Sequence, residues 1–168
     1  MNISMYQAST PLFVKTLKNL SSILDKAQAH VDARKIDPSA LTAFRLFPDM
    51  LTMTRQVQIA CDTAKAAVAR VAGVEVPNHE DTEQTLADLK ARIAKTIEFV
   101  QSIKPAQLDG TEDKDITIKI GGKDTTLKCM PYLLGRAVPN FYFHVMTTYN
   151  ILRHNGVDIG KNDYLGAP

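Results

Sequence analysis

Four stretches of the chain place apolar residues at the three- and four-residue spacing of an amphipathic α-helix. The first stretch contains Phe13, Leu17, Leu20, Leu24, Ala27 and Val31, and the second contains Met50, Met53, Val57, Ala60, Ala64, Val68 and Val71. The third contains Leu86, Leu89, Ile93, Ile97, Val100 and Ile103, and the fourth contains Leu134, Val138, Phe141, Val145, Thr148 and Leu152. Because each helix must bury its apolar stripe against the others, the sequence predicts an all-α protein built as a four-helix bundle.

Residues that cap or interrupt helices mark the limits of the first three. Thr10-Pro11 is typical of a helix start, residues 36–39 interrupt the first pattern, and Gly73 ends the second. Asp81, three residues before Gln84, has the spacing of a capping box and predicts that the third helix starts there. This helix is expected to turn its charged residues towards solvent, namely Asp88, Lys90, Arg92 and Lys95.

Between the third and fourth helices the pattern changes to the two-residue period of a β-strand. Ile116, Ile118 and Ile120 alternate with polar residues, and Gly121-Gly122 follows them. We therefore expect a small β-hairpin before the last helix, packed against the bundle because a lone hairpin is unstable.

The last helix has its own start and stop signals. Met130-Pro131 is expected to open it, Pro139 to kink it, and Gly156 to end it in a left-handed conformation. The remaining tail, residues 157–168, is expected to be irregular.

Length and charge narrow the classes of protein to which this chain can belong. The 168 residues suit a single domain spanning residues 1–168. The net charge of +2 comes from mixed acidic and basic residues without a basic block, so a nucleic-acid partner is not expected. No apolar run approaches the roughly 20 residues that span a bilayer, and the first residues do not resemble a signal peptide. The sequence therefore predicts no membrane partner and a cytoplasmic location.

Few residues are candidates for catalysis or metal binding, because common nucleotide-binding, nucleophile-elbow and zinc-protease motifs are absent. Asn140 and His144 are one helical turn apart on the last helix, so both can approach one ligand. Gln56, Gln58 and Asp62 supply polar groups on the second helix. The competing interpretation is a structural histidine within a buried hydrogen-bond network, since isolated histidines are more often structural than metal-binding.

The other histidines and the cysteines are expected to play no chemical part. His30 and His79 have no second ligand at metal-binding spacing and are predicted to lie at the surface. Cys61 and Cys129 form no C-x-x-C motif and are predicted to be buried free thiols.

The C-terminal part of the chain resembles the last helix of DinB-like proteins. In that family an H-x-x-x-H pair precedes a Leu-Arg-x-x-Gly ending. Here His144 falls on the second histidine, and Leu152, Arg153 and Gly156 fall on the ending. Residues 48–50, 56–62, 152–157 and 160–166 also resemble hallmark stretches of a bacterial subgroup described only as a domain of unknown function.

The resemblance implies a divalent metal held by three histidines, one on the second helix and two on the last. In this chain Asn140 stands in place of the first histidine of the pair, and the second helix contains no histidine. The resemblance therefore predicts a degenerate metal site made of His144, Asp62, Asn140 and Gln58, with Mn, Ni, Fe or Zn as the implied ion.

Two functions are compatible with these residues. One is an uncharacterised, non-catalytic DinB-like protein that binds a small-molecule ligand or a partner. The other is a divalent-metal-dependent thiol transferase or hydrolase, in which the ion activates a thiol or water. The sequence leaves enzyme activity open, and metal retention distinguishes the two. A homodimer is expected from the resemblance and from the frequency of twofold oligomers.

Overall fold

A computed structural model describes residues 3–167. The helices are α1 (Thr10–Arg34), α2 (Ser39–Thr42), α3 (Met53–Ala72), α4 (Leu86–Ser102), α5 (Pro105–Leu108), α6 (Cys129–Tyr132), α7 (Val138–His154) and α8 (Lys161–Leu165). The strands are β1 (Asp115–Ile120) and β2 (Lys123–Lys128), and a π-helical segment (Leu133–Ala137) joins α6 to α7. The predicted mainly helical fold with a small antiparallel hairpin is confirmed.

The long helices α1, α3, α4 and α7 pack on one another and enclose the core. The α1 stripe that the sequence predicts is buried along its whole length, and Phe13 of α1 meets Phe141 of α7 edge to face, with ring centroids 4.9 Å apart. Burial of such stripes supplies most of a helix's stability in a folded protein. In the part of the chain that the structure describes, no helix is long and apolar enough to cross a membrane.

The helix α3 begins and ends at side chains suited to those positions. The Thr52 hydroxyl accepts a hydrogen bond from the backbone N–H of Arg55 at 3.4 Å, and Gly73 closes the helix with φ of 69°. Gly73 was the predicted end, and glycine suits it because a left-handed backbone strains other residues. Met50 lies in the loop before α3 rather than on its stripe.

The start of α4 differs from the sequence prediction. The helix begins at Leu86, and its capping box is made by Thr85 and Asp88 rather than by Asp81 and Gln84. Thr85 accepts a hydrogen bond from the Asp88 N–H at 3.1 Å, and Asp88 accepts one from the Thr85 N–H at 2.9 Å. This reciprocal pair satisfies two otherwise unpaired donors, whereas Asp81 forms ion pairs with arginine side chains.

The hairpin forms where the sequence predicts it. Ile116 and Ile118 are its buried residues, and the turn places Gly121 and Gly122 at φ of 58° and 81°. Two consecutive positive φ values are the requirement of a tight hairpin turn, which glycine meets without strain. The hairpin packs against α6, next to the start of the last helical region.

The last helical region contains an irregularity that the sequence pattern did not reveal. Pro139 lies in the first turn of α7, directly after the π-helical segment, and the kink expected at this proline stays a prediction. A π-helical turn holds more residues than an α-helical turn, so the residues at its start lie on a different face relative to those that follow it. Leu134, predicted to join the buried stripe, is accordingly 46% exposed.

The tail is more ordered than predicted. Residues 161–165 form α8, which packs on α1. The Asn19 amide donates a hydrogen bond to the Tyr164 carbonyl at 3.0 Å, and Lys26 pairs with Asp163 at 2.7 Å. The prediction of an irregular tail is therefore wrong for this segment, because tertiary contacts with α1 stabilise a helix too short to persist alone.

Candidate functional site

The predicted site residue His144 is buried and bonded to a glutamine of α3. Its Nδ1 lies 2.6 Å from the Oε1 of Gln56, and the Gln56 amide also donates to the Leu51 carbonyl at 3.1 Å. Burial lowers the pKa of His144 below its ordinary value, so the imidazole is neutral at pH 7. A neutral ring whose Nδ1 carries a proton can donate it to the Gln56 oxygen.

Asn140 has a different partner. Its amide donates a hydrogen bond to the hydroxyl of Thr63 at 3.0 Å, again between α7 and α3. The α3 residues that contact the predicted α7 pair are therefore Gln56 and Thr63.

Gln58 and Asp62 bond towards α4 and the loop before it. Gln58 accepts a hydrogen bond from Arg55 at 2.7 Å and donates one to Glu83 at 2.7 Å. The Asp62 Oδ1 lies 2.9 Å from the Lys65 ammonium and 2.7 Å from the Arg92 guanidinium. Both side chains are committed to partners other than Asn140 and His144.

The predicted metal ligands do not share a coordination sphere in this arrangement. The residues 3–167 contain no group of three or more His, Cys, Asp and Glu side chains placed to hold an ion. His144 uses Nδ1 on Gln56, and the bonded oxygen of Asp62 is held by two cations. This donor set does not fit a divalent ion without rearrangement, so the metal site stays a prediction.

The most buried charge in this region is Arg92, which the sequence analysis wrongly assigned to the solvent side of α4. Its side chain is 1% exposed and pairs with Asp62 at 2.7 Å, Asp81 at 3.0 Å and Glu83 at 3.0 Å. It also donates to the Glu80 carbonyl at 3.0 Å. These contacts, which we call the Arg92 network, fasten the loop between α3 and α4 onto both helices.

His79 lies in the loop that the Arg92 network holds. It was predicted to lie at the surface, but it is only 9% exposed, so that prediction is wrong. Burial lowers the pKa of His79 below its ordinary value, and the nearby cations Lys65, Lys95 and Arg92 act in the same direction. Glu83 is affected oppositely: burial alone raises its pKa, but hydrogen bonds from Gln58 and Arg92 outweigh burial and lower it.

Asp62 and Asn140 do share one feature, a cleft of about 280 Å³ that we call the α3–α7 cleft. Its walls come from α3, β1, α6, the π-helical segment and α7. The lining residues are Asp62, Thr63, Ala66, Arg70, Ile118, Lys119, Tyr132, Arg136, Ala137 and Asn140. His144 and Gln58 are not among them, whereas the hairpin contributes two residues to the wall.

Three cations line the α3–α7 cleft. Arg70 donates a hydrogen bond to the Tyr132 hydroxyl at 3.2 Å, and Tyr132 is almost fully buried. Within residues 3–167, no Asp or Glu oxygen lies within 4.0 Å of a charged nitrogen of Arg70, Arg136 or Lys119. The cleft therefore holds positive charge that the protein does not neutralise by direct pairing.

The amino-acid pattern does not reveal these cations, because Arg136 reaches the cleft from the π-helical segment and Lys119 from the hairpin. π-Helical segments within helices occur frequently at functional sites. The only sequence signal was the interrupted pattern around Pro131 and Pro139, which indicated an irregular helix but not its form.

Comparison with known proteins agrees with this fold. Residues 5–165 match the family described as "Domain of unknown function (DUF1993)". A crystal structure of a DinB family member protein from Shewanella denitrificans is 43% identical to this chain, with a TM-score of 0.88. The match covers 97% of this chain and 92% of that chain. No curated protein matches the chain. The chain therefore belongs to the DUF1993 family within the DinB-like proteins.

Proposed function

We propose that the protein binds a small organic anion, a carboxylate or a phosphate ester, in the α3–α7 cleft and does so without catalysing a reaction on it. The observation that carries the proposal is the set of three cations, Arg70, Arg136 and Lys119, that line one cleft without a carboxylate partner. Arginine is suited to this task because its planar guanidinium can hold a carboxylate or phosphate through two parallel hydrogen bonds.

The only carboxylate in the cleft lining does not cancel this charge. Asp62 is bonded to Lys65 and Arg92, both outside the lining, and the three cations of the lining outnumber this one carboxylate. An anion entering the cleft therefore meets a net attractive field, and a divalent cation meets a repulsive one.

Neutral polar groups in the same cleft supply directional contacts. The Asn140–Thr63 hydrogen bond leaves the Thr63 hydroxyl proton and the second amide proton of Asn140 available as donors. The Tyr132 hydroxyl accepts from Arg70 and keeps its own proton to donate. A ligand with several oxygen acceptors matches this lining better than an apolar ligand does.

The chain offers no activated thiol for covalent chemistry in this cleft. Burial raises the pKa of Cys61 to about 12 and also raises the pKa of Cys129. Neither cysteine lines the cleft. Because the thiolate is the reactive form of cysteine, these raised pKa values lower the thiolate population at neutral pH, which favours ligand binding over nucleophilic catalysis by a cysteine of this chain.

Isothermal titration calorimetry with malonate, inorganic phosphate and citrate tests the proposal. We expect at least one of these anions to bind, and neutral malonamide not to bind. Arg136→Gln and Arg70→Gln should each weaken the anion at least about tenfold, the effect of losing one charge-assisted contact of about 1.4 kcal/mol.

Arg34→Gln is the matched control, because Arg34 carries the same charge at the exposed end of α1 and does not line the cleft. Affinity that is unchanged in both cleft variants, or equal binding of malonate and malonamide, would show that the cations do not recognise the ligand. Binding weakened equally by Arg34→Gln would point to net charge rather than to the cleft.

Three expectations from the sequence stay predictions beside this proposal: a homodimer, a cytoplasmic location and a divalent-metal-dependent thiol transferase or hydrolase activity. An exposed aromatic residue on α7 supports the homodimer as a proposal, because it is apolar surface that a second copy can cover. Phe143 is 55% exposed, and its ring lies edge to face on the His144 ring with centroids 5.2 Å apart. Light scattering of the full chain measures whether two copies associate.

A further inference from the structure

A second cleft, of about 580 Å³, lies at the beginning of α1, and we call it the α1 cleft. It is bounded by the segment before α1, the first turns of α1, the end of α4 and the tail. Its lining residues are Tyr6, Thr10, Pro11, Val14, Lys15, Lys18, Asn19, Gln101 and Ala167. None of these residues lines the α3–α7 cleft, so the two features are independent.

The charge of the α1 cleft has one sign. Lys15 and Lys18 are three residues apart on α1 and therefore lie on neighbouring parts of one helix surface. No aspartate or glutamate lines the cleft. Neither lysine has a carboxylate within 4.0 Å in residues 3–167, so both ammonium groups are available to an anion.

The same cleft also has an apolar part, formed by carbon atoms of its lining residues. Pro11 and Val14 are three residues apart on α1, and Tyr6 lies beside them. Tyr6 and Val14 are half-buried and pack against the core. An apolar group placed here would remove carbon surface from water on both sides.

An unpaired hydroxyl supplies an independent observation. Thr10 is 2% exposed, and its Oγ1 has no hydrogen-bond partner among residues 3–167. Buried hydroxyls are bonded in the great majority of folded proteins, so an unbonded one within a cleft lining favours a partner outside these described residues. Because the hydroxyl oxygen itself is fully buried, a carboxylate oxygen can accept from it only after the Thr10 side chain rotates towards the cleft.

We propose that the α1 cleft binds a soluble amphiphilic carboxylate, with its acid group towards Lys15, Lys18 and Thr10 and its apolar body against Pro11, Val14 and Tyr6. The two lysines recognise the charge, and the carbon surface selects the length of the apolar body. The proposal does not depend on the ligand of the α3–α7 cleft.

Calorimetric titration with octanoate tests the assignment, with butyrate and octylammonium as comparison ligands. We expect octanoate to bind more tightly than butyrate, which lacks most of the apolar body, and octylammonium not to bind because its charge is reversed. The Lys15→Gln/Lys18→Gln double variant should lose at least about tenfold in octanoate affinity. Lys123→Gln, which removes one charge at the hairpin turn outside the cleft, should leave the affinity unchanged.

Thr10→Val separates a ligand-binding hydroxyl from a structural one. Because valine has the shape of threonine without the hydroxyl, the free protein should melt at an equal or higher temperature, while octanoate should bind more weakly. A lower melting temperature would show that the hydroxyl has a partner within the protein. Equal affinity for octanoate and octylammonium, or full affinity in the double lysine variant, would also overturn the assignment.

Discussion

Replacing Arg92 should destabilise the protein more than replacing any exposed arginine. Arg92→Met keeps the length of the side chain and removes its charge, which leaves three carboxylates without their shared cation. Asp62 remains paired with Lys65, and Asp81 remains paired with Arg55. The side chains of Asp62 and Asp81 are 39% and 42% exposed. These two losses should therefore contribute little, as exposed ion pairs typically do.

Glu83 determines how much unfolding free energy Arg92→Met loses. Its side chain is 11% exposed, and without Arg92 the Gln58 amide is the one other side chain of residues 3–167 that donates to it. Removing one partner of a buried ion pair costs about 3–5 kcal/mol. Because Glu83 keeps one hydrogen bond and some exposure, we expect Arg92→Met to lower the free energy of unfolding by about 2–4 kcal/mol, an estimate from the same principle.

Urea unfolding followed by circular dichroism measures this free energy. At a typical slope of about 2 kcal/mol per molar, the midpoint should fall by about 1–2 M. The double variant Arg92→Met/Glu83→Gln should recover part of the loss, because it removes the carboxylate that Arg92→Met leaves unpaired. Arg34→Met is the exposed control and should change stability by less than about 0.5 kcal/mol. A loss below about 1 kcal/mol for Arg92→Met, or strict additivity in the double variant, would refute the role given to the buried pair.

Three further outcomes follow from individual residues. Burial lowers the pKa of His144, so as pH falls the unfolded chain binds the extra proton before the folded protein does. The free energy of unfolding should therefore be highest above the ordinary His pKa of about 6.5 and should decrease as pH falls through that value. Melting temperatures between pH 8 and pH 5 check this, and His144→Gln should give a flatter profile. Cys61, with its pKa raised to about 12, should react with a thiol reagent such as DTNB only after unfolding, and rapid labelling of this residue in native protein would contradict its burial. Gly156→Ala forces alanine to φ of 86° and should cost about 1 kcal/mol in a urea titration, against no comparable loss for Gly135→Ala, where φ is not positive.

The apolar periodicity was sufficient to predict the long helices, because the helix period depends on residues close in sequence. Gly73, Gly156 and the Gly121-Gly122 turn were identified for the same reason, since each requirement is local. The Thr85–Asp88 capping box was also present in the sequence, and the choice of Asp81 instead shows that spacing alone does not select between two candidate caps.

The errors concern residues whose environment depends on distant parts of the chain. Arg92 is charged and was predicted to be solvent-exposed, but its burial is stabilised by carboxylates of α3 and of the preceding loop. Leu134 was displaced by the π-helical segment, which no hydrophobic pattern encodes. α8 is stabilised by Asn19 and Lys26 of α1, more than 130 residues earlier in the chain (Tyr164 and Asn19 are 145 apart).

The candidate site was only partly predictable. The sequence identified α3 and α7 as its helices, and Asp62 and Asn140 do line one cleft. Helical phase was not accurate enough to show that Gln56 and Thr63, rather than Gln58 and Asp62, contact the α7 pair. The cations that give the cleft its charge come from elements whose position depends on the whole fold.

The proposed function requires the α3–α7 cleft to bind an anion rather than a divalent cation. Parallel calorimetric titrations of one untagged preparation with malonate and with Mn²⁺ or Zn²⁺ test it most directly. We expect a saturable malonate signal that Arg136→Gln weakens at least about tenfold, and no stoichiometric signal for either metal. Stoichiometric metal binding that His144→Ala abolishes, together with no response to malonate, would rule out anion recognition by the cleft and support the degenerate metal site.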